Sequence, residues 1–133
     1  MSRQFVGPYV NFQGRAREAM QHYHKVLGGK LDLQSMNEQG APKPAGPGDR
    51  ITHARLEADG AVITASDGHP DYPAKVGENV GIAVGGTDQA RISKIFEGLA
   101  EGGKIKVPLS EKSNVGWLTD KFGINWTVSI DKA

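Results

Sequence analysis

The stretch from Gly116 to Ile130, reading GWLTDKFGINWTVSI, decides the fold. Asp120 to Gly123 supplies a tight turn with glycine last, where a positive φ carries no steric cost. Polar and apolar residues alternate from Asn125 to Ile130, and a period of two is typical of a strand with one polar face. The stretch therefore predicts a β-hairpin. If its turn spans four residues, Trp117 and Trp126 lie opposite each other; we expect both in the core, with an aromatic cleft wall as the alternative.

Three short motifs recur in the same order and indicate an internal repeat. They are Val6-Gly7 with Val80-Gly81 and Gly28-Gly29-Lys30 with Gly102-Gly103-Lys104, both 74 positions apart, and Gly60-x-x-x-Thr64-x-Ser66 with Gly123-x-x-x-Thr127-x-Ser129, 63 apart. Because half a chain of this kind cannot bury its sheet alone, we expect the two halves to pack together.

Each half predicts the element order β-α-β-β-β. The first half gives a strand, a helix and three strands: Phe5–Phe12, Arg15–Leu27, Lys30–Met36, Ile51–Ala58 and Ala61–Asp67. The second gives a strand (Asn79–Gly85), a helix (Asp88–Ala100), a strand (Lys104–Val107) and the closing hairpin. The Pro- and Gly-rich segments Glu38–Arg50 and Gly68–Glu78 are expected to be loops. The Gly-Gly pairs are expected to end the helices.

Length and composition exclude several classes of protein. The 133 residues suit one domain, with modules at about 4–67 and 79–131. A net charge of +1 with interspersed charges gives no basic footprint for nucleic acid or a membrane surface. The absence of cysteine excludes disulfides and thiolate chemistry. MSRQFVGPYV at the start has no apolar run for a signal peptide or a span, so we expect a soluble, cytoplasmic protein.

Three stretches together resemble one known superfamily. They are PYVNFQGRAREAMQHYHKVLGGKL, RITHARLEADGAVITASD and TDKFGINW. They resemble the PhnB-like branch of the vicinal oxygen chelate superfamily, which includes glyoxalases, bleomycin-resistance proteins and extradiol dioxygenases. Some members of that branch carry a 3-demethylubiquinone methyltransferase-like label. The resemblance implies an α+β fold of two tandem βαβββ modules, with curved mixed sheets around a shared cleft and the helices outside. It also implies a homodimer.

Enzymes of this superfamily commonly hold a divalent metal with His and Glu side chains from the first and last strands of each module. The resemblance places these ligand positions at Pro8 (with Gly7 or Tyr9 within error), Thr64, Gly81 (with Ile82 or Ala83 within error) and Thr127. None of them is His or Glu, whereas such a metal needs three or four imidazole or carboxylate donors. No metal and no cofactor are therefore predicted.

A polar strand face gives the predicted ligand-binding site. A two-residue turn at Asp59-Gly60 pairs Arg55 with Thr64 and His53 with Ser66, and opposite residues share a face. The resemblance puts that face in the cleft, with the closing strand as the opposite wall. The predicted ligand-binding residues are His53, Arg55, Glu57, Thr64, Ser66, Asn125, Thr127 and Ser129. His53 and Glu57, about 13 Å apart along the strand, are too distant to share one ion unaided.

Each candidate also has a structural interpretation. His53 is the candidate acid–base group, since histidine titrates near neutral pH; the alternative is a cross-strand pair with Ser66. Arg55 and Glu57 are candidates for holding an anionic ligand, or form a salt bridge with each other.

The remaining polar candidates are expected to be structural. His22 and His24 flank the first helix and are predicted to be surface residues. His69 lies in a loop beside Asp67 and Asp71, which favours a loop cluster over a loose metal or substrate contact. Asp120 is expected to cap its own turn.

Two functions remain. The first is a metal-independent protein that binds a small polar or aromatic ligand in the cleft. The alternative is a metal-dependent lyase or dioxygenase-type enzyme of the same superfamily, with a displaced metal site or with His53 as base. A methyltransferase is disfavoured, because the chain has no glycine-rich nucleotide loop; GGTDQA merely precedes a helix.

Overall fold

The structure is a computed structural model that describes residues 7–69, 71–110 and 112–132. The chain divides into two compact units, Met1–Lys75 and Val76–Ala133. Each unit contains one helix packed on one mixed sheet. The single domain of residues 1–133, with modules at about 4–67 and 79–131, stays a prediction.

The first unit contains a helix and a five-stranded sheet. In chain order its elements are β1 (Tyr9–Asn11), α1 (Ala16–Leu27), β2 (Lys30–Met36), β3 (Pro42–Pro44), β4 (His53–Ala58) and β5 (Ala61–Ser66). The sheet order is β1-β5-β4-β2-β3, and β1 runs parallel to β5. Phe5 and Val6, which the sequence places in the first strand and the repeat, lie outside the described residues.

Helix α1 packs its apolar side on β2, β4 and β5. The buried side chains of α1 are Ala16, Ala19, Met20 and Tyr23, and those of the sheet face include Ala54, Leu56, Ile63 and Ala65. A distant carboxylate begins the helix, since Asp67 Oδ1 accepts from the Ala16 N–H at 2.8 Å. Gly28, with φ 76°, follows its last residue. The alternation along β4 and β5 therefore buries one face and leaves the other for a site.

The prediction that Glu38–Arg50 is entirely loop is wrong at β3. Ser35 of β2 pairs with Lys43 in the antiparallel sense. The Asn37 side chain turns the chain back, because its Oδ1 accepts from the Gln39 and Ala41 N–H groups, both at 2.9 Å. Two prolines with one lysine between them suit only an outer strand of a sheet. Because this strand has three residues and no apolar side chain that alternates with polar ones, hydrophobic periodicity does not predict it.

Among its described residues, the second unit repeats this arrangement without a counterpart of β3. Its elements are β6 (Ile82–Gly86), α2 (Gln89–Ala100), β7 (Lys104–Val107), β8 (Val115–Thr119) and β9 (Asn125–Ile130), in the sheet order β6-β9-β8-β7. The predicted strand Asn79–Gly85 begins later, at Ile82. Helix α2 is capped by Asp88, whose Oδ1 accepts from the Arg91 N–H at 3.2 Å. No described helix is of a length and apolarity that would span a membrane.

Corresponding strands pair in the same register within each of the two sheets, which confirms the internal repeat. Tyr9 pairs with Thr64 across the first parallel pair, and Ala83 pairs with Thr127 across the second. These positions are separated by the predicted 74 and 63 residues. The second glycine of each Gly-Gly pair has a further role that the sequence does not reveal. A Cβ on Gly29 would collide with the Glu57 carbonyl oxygen, and one on Gly103 with that of Thr119.

The closing hairpin differs from the predicted one by a single residue. Thr119 pairs with Asn125, so Trp117 lies opposite Thr127 and Leu118 lies opposite Trp126. The prediction that the two tryptophans face each other in the core is therefore wrong. Trp126 is 2% exposed and belongs to the core, whereas Trp117 is 51% exposed. A slip of one residue moves a side chain to the other face of a sheet.

Candidate functional site

The face of the first sheet that points away from α1 carries the predicted residues of the first unit. Arg55 pairs with Thr64, as predicted, and Glu57 pairs with Val62, while His53 pairs with Gln34 of β2. We call this surface the polar face; it also includes Tyr9, opposite Thr64, and Ser66. The backbone thus places these side chains on one face, and their hydrogen bonds decide which remain available to a ligand.

The hydroxyl groups of the polar face are bonded to the protein. Tyr9 Oη and Ser66 Oγ are 2.5 Å apart, and Ser66 Oγ also accepts from the Gly68 N–H at 3.1 Å. Thr64 Oγ1 donates to the Pro8 carbonyl at 3.2 Å. Thr64 and Ser66 are only 8% and 4% exposed. Both hydroxyls are therefore largely committed to fixing β1 against β5.

The two charged residues of the polar face pair with each other. The Arg55 guanidinium lies 2.8 Å from Glu57 Oε1 through Nη2, and Nε donates to the same oxygen at 2.9 Å. The structural alternative for Arg55 and Glu57 is thus the arrangement found. Partly exposed pairs of this kind contribute about 1 kcal/mol or less.

His53 is the exposed residue of this set that keeps its polar groups free. Within the described ranges, no side chain or backbone group hydrogen-bonds to its imidazole. The cross-strand bond to Ser66 does not form, because the Ser66 hydroxyl bonds to Tyr9 and Gly68 instead.

In the second unit, the outward face of the sheet borders a cavity of about 170 Å³. Trp117, Asn125 and Thr127 line it, together with the charged residues Lys106 and Glu78. A protein cavity of about 150 Å³ accommodates benzene, so this one has room for a single six-membered ring. The one-residue shift of the hairpin is what brings Trp117 beside Thr127. We call this space the tryptophan cavity.

The polar residues of the second unit are differently placed. The Asn125 amide is anchored, since its Oδ1 accepts from Thr119 Oγ1 at 2.8 Å and its Nδ2 donates to the Gly77 carbonyl at 3.2 Å. Thr127 is exposed. Ser129 Oγ donates to Asp131 Oδ1 at 3.2 Å and is not among the residues that line the tryptophan cavity. Asn125 and Thr127 therefore both line the tryptophan cavity, while Ser129 of the same strand does not.

Asp120 sets the shape of this region, although it does not line the cavity. Its Oδ1 accepts from the Phe122 and Ile124 N–H groups at 2.9 and 3.0 Å, and its Oδ2 accepts from Trp126 Nε1 at 2.9 Å. The side chain is 4% exposed. The sequence predicts the capping of the turn, which is confirmed, but not the bond to Trp126. That bond ties the turn to the core and so fixes the register of the hairpin.

The other histidines contact residues that are close to them in the sequence. His24 Nε2 lies 3.0 Å from the Gly29 carbonyl oxygen, and the half-buried ring of His22 packs 6.2 Å from that of Tyr23. His69 Nδ1 accepts from the Asp71 N–H at 3.1 Å. Asp67 does not join His69, because its carboxylate accepts from the N–H groups of Ala16 and Ile51.

The residues at the metal positions that the superfamily resemblance implies do not fit a divalent cation. The register places Tyr9 with Thr64 and Ala83 with Thr127, which supplies a phenol, two hydroxyls and a methyl group. Divalent ions of this class need several imidazole or carboxylate donors at bonding distance. In the described parts of the chain, no three His, Asp or Glu side chains cluster closely enough to hold an ion.

Comparison with known structures supports the fold. The chain is 34% identical to protein PA1353 from Pseudomonas aeruginosa, covering 98% of this chain and 100% of that one, with a TM-score of 0.82. It is 24% identical to the PhnB protein from Bacillus cereus, over 96% and 100% of the two chains, with a TM-score of 0.74. The fosfomycin resistance protein FosX from Listeria monocytogenes, solved with Mn(II) and sulfate, is 10% identical over 99% and 95%, with a TM-score of 0.62. These likenesses confirm the predicted α+β, glyoxalase-like fold.

A family model identifies the branch. The model described as 3-demethylubiquinone-9 3-methyltransferase matches residues 4–129, which is nearly the whole chain. The chain therefore belongs to the 3-demethylubiquinone-9 3-methyltransferase family, which agrees with the label that the sequence resemblance implies.

Proposed function

We propose that this protein binds a small ligand with a planar aromatic part in the tryptophan cavity, without the divalent metal of its superfamily. The observation that carries the proposal is the outward position of Trp117, 51% exposed beside a cavity of about 170 Å³. A large exposed aromatic side chain beside a ring-sized cavity offers a stacking surface. Ligand sites typically combine such apolar walls with a few polar groups.

The polar groups beside Trp117 indicate that the ligand also carries polar substituents. Asn125 is held in place by two hydrogen bonds, and Thr127 presents its hydroxyl at the exposed position opposite Trp117. Lys106 and Glu78 add one charge of each sign to the lining. We infer that a ring seated against the indole has polar substituents that Thr127 and Asn125 bind.

The predicted residues of the polar face stay part of the proposal. Arg55 and Glu57 pair with each other, and Thr64 and Ser66 bond to neighbouring groups. His53 is consequently the member of that face that we expect to contact a ligand. The predicted homodimer and cytoplasmic location likewise stay predictions.

The donor chemistry at the ligand positions that the superfamily resemblance implies supports the proposed metal independence. A phenol, two hydroxyls and a methyl group replace the expected His and Glu, and no clustered alternative occurs among the described residues. No observation favours the metal-dependent lyase or dioxygenase with a displaced metal site. The ligand would instead be held by stacking and hydrogen bonds.

The test compares a planar with a non-planar probe. Benzamide and cyclohexanecarboxamide are titrated separately into EDTA-treated protein while the backbone amides of Asn125 and Thr127 are followed by NMR. We expect benzamide to bind more tightly, and Trp117→Ala to weaken it about tenfold, since stacking on an aromatic side chain is worth about 1–3 kcal/mol. Tyr72→Ala serves as the matched control, because Tyr72 is a similarly exposed aromatic residue outside this cavity.

Three outcomes would overturn the proposal. They are equal affinity for the two probes, unchanged benzamide binding by the Trp117→Ala variant, and binding that appears only after Mn²⁺ or Zn²⁺ is added. S-Adenosylmethionine is titrated in parallel, because the family's description names a methyltransferase. Saturable binding of that compound together with methyl transfer to an acceptor would replace this proposal by methyl transfer.

A further inference from the structure

A larger cavity lies within the first unit, where the parallel strands β1 and β5 end. Its volume is about 580 Å³, within the range of about 300–1,000 Å³ typical of small-molecule sites. Three loops form it: the one after β1, the one before β4 and the one after β5. None of its lining residues lines the tryptophan cavity. We call this space the loop cavity, and it is independent of the function proposed above.

The Asp67 carboxylate beside the loop cavity already serves the protein. Its Oδ1 accepts from the Ala16 N–H at 2.8 Å and its Oδ2 from the Ile51 N–H at 2.7 Å. Both bonds hold structural elements together: the first begins α1, and the second fixes the approach to β4. The negative charge of Asp67 is therefore matched by backbone dipoles.

Asp49 is committed in the same way. Its Oδ2 accepts from the Gly46 N–H at 2.8 Å and lies 3.1 Å from Lys43 Nζ. The backbone bond from Gly46, followed by the Lys43 ammonium, lowers the pKa of Asp49 below its ordinary value. Lys43 also neutralises the charge. Neither carboxylate of the lining is thus an uncommitted acceptor.

The hydrogen-bond donors of the loop cavity, by contrast, lack such commitments. Within the described ranges, the Arg50 guanidinium and the Gln13 side-chain amide form no hydrogen bond or ion pair. Asn11 uses Oδ1 to accept from the Gln13 N–H at 2.9 Å, which leaves its Nδ2 donors. His69 is held at Nδ1 by Asp71, whose N–H donates to it at 3.1 Å and whose Oδ2 lies 3.6 Å away; no described residue bonds to its Nε2.

We propose that the loop cavity binds a small organic anion bearing a carboxylate or a phosphate, with Arg50 as its charge partner. The carboxylate acceptors of the lining are already hydrogen-bonded within the protein, whereas its side-chain donors are available. The cavity therefore favours a ligand that has many hydrogen-bond acceptors. A guanidinium matches carboxylate and phosphate oxygens in a bidentate geometry. Gln13, Asn11 and His69 supply neutral donors around the same space.

The test uses three probes on one carbon skeleton. Glycerol 3-phosphate, glycerate and glycerol are each titrated into the protein, and the backbone amides of the lining glycines Gly14, Gly48 and Gly68 are followed by NMR. We expect saturable shifts at these amides with at least one of the anions and none with glycerol. Whether the phosphate or the carboxylate binds more tightly assigns the ligand class.

A pair of charge-matched variants separates a site from general attraction. Arg50→Gln is expected to weaken anion binding about tenfold, the size of a lost hydrogen bond to a charged group. Lys25→Gln removes the same charge from the last turn of α1, where the exposed side chain does not line the cavity. We expect less than about a twofold change for it, since exposed charges act weakly at a distance.

Several results would overturn the inference. They are the absence of saturable shifts with both anions, equal binding of glycerol, and equal loss of affinity in the two variants. Unshifted amides of β2, which lies in the same unit as Arg50, verify that Arg50→Gln is folded. Trp117→Ala must leave anion binding unchanged, so this inference and the proposed function fail independently of each other.

Discussion

The two units present the same strand positions with opposite chemistry. In the first unit, Arg55 lies opposite Thr64 and is held by Glu57. In the second, Trp117 lies opposite Thr127 and is half exposed. Apart from His53, the polar side chains of the first sheet face bond to the protein, while the second face offers an aromatic surface. A shared scaffold thus sets positions, and the side chains at those positions set what each unit is able to bind.

The turns before the last strand of each unit also differ. Ala58 pairs with Ala61 across the two-residue turn Asp59-Gly60, whereas Asp120 N–H bonds to the Ile124 carbonyl at 2.8 Å across a three-residue turn. Gly60 and Gly123 both have a positive φ, so each turn depends on its glycine. The buried Asp120 carboxylate accepts hydrogen bonds from the backbone of the longer turn. The aspartate in the shorter turn of the first unit, Asp59, is exposed.

The largest expected effect is a difference in stability between alanine variants of the two tryptophans. Trp126→Ala should lower the free energy of unfolding by about 3–5 kcal/mol, because it empties a buried indole site. Trp117→Ala should lower it by less than about 1 kcal/mol, because half of that side chain is already in solvent. Urea unfolding of both variants measures the difference. Similar losses in the two variants would show that Trp117 belongs to the core.

A smaller effect is expected at the turns. Asp120→Ala should cost about 3 kcal/mol, since it leaves buried donors unpaired, among them Trp126 Nε1. Asp59→Ala, at the corresponding turn of the first unit, should change stability by less than about 0.5 kcal/mol, because Asp59 is exposed. Asp120→Asn should fall between them, because its amide oxygen still accepts from the turn while its NH₂ group cannot accept from the indole.

Thermal unfolding of the three variants at one pH measures this order. An Asp120→Ala protein as stable as Asp59→Ala would mean that the carboxylate does not hold the register of the second hairpin.

The smallest expected effect concerns Asp49, in the segment between β2 and β4 of the first unit. The hydrogen bond from Gly46 and the charge of Lys43 lower the pKa of Asp49 in the folded state. A carboxylate with a lowered folded pKa adds stability above its unfolded pKa and loses it as the pH falls through the folded value. Asp49→Asn should therefore lower the midpoint of thermal unfolding slightly at neutral pH.

In acid, below the folded pKa of Asp49, the Asp49→Asn variant and the unchanged protein should unfold at the same temperature. A difference between them that persists into acid would mean that Asp49 contributes by shape and not by charge.

The sequence predicts the elements well wherever a local signal specifies them. Lys30–Met36 and Lys104–Val107 match β2 and β7 residue for residue, because a Gly-Gly pair marks the point at which each strand begins. The register of β4 and β5 is also predictable, since Asp59-Gly60 permits only a two-residue turn. The repeat adds independent support, because its spacing reappears in the strand pairs.

Features that depend on distant contacts are not predictable in this way. The register of β8 and β9 depends on the bond between Asp120 and the indole of Trp126, which no local pattern encodes. Alternation places Arg55 and Glu57 on a polar face, but their mutual pairing depends on side-chain rotamers. The loop cavity is likewise formed by residues far apart in the chain, so no local pattern indicates that Arg50 and His69 line the same space.

The one-residue difference between the hairpins also gives the protein two distinct fluorophores. The chain has two tryptophans; Trp126 is buried with its indole N–H on a carboxylate, and Trp117 faces solvent. An aqueous quencher such as acrylamide should reach Trp117 selectively, and a bound ring should protect it. Loss of the fold, in contrast, would be reported by Trp126. Native emission therefore separates ligand occupancy from unfolding in a single unlabelled sample.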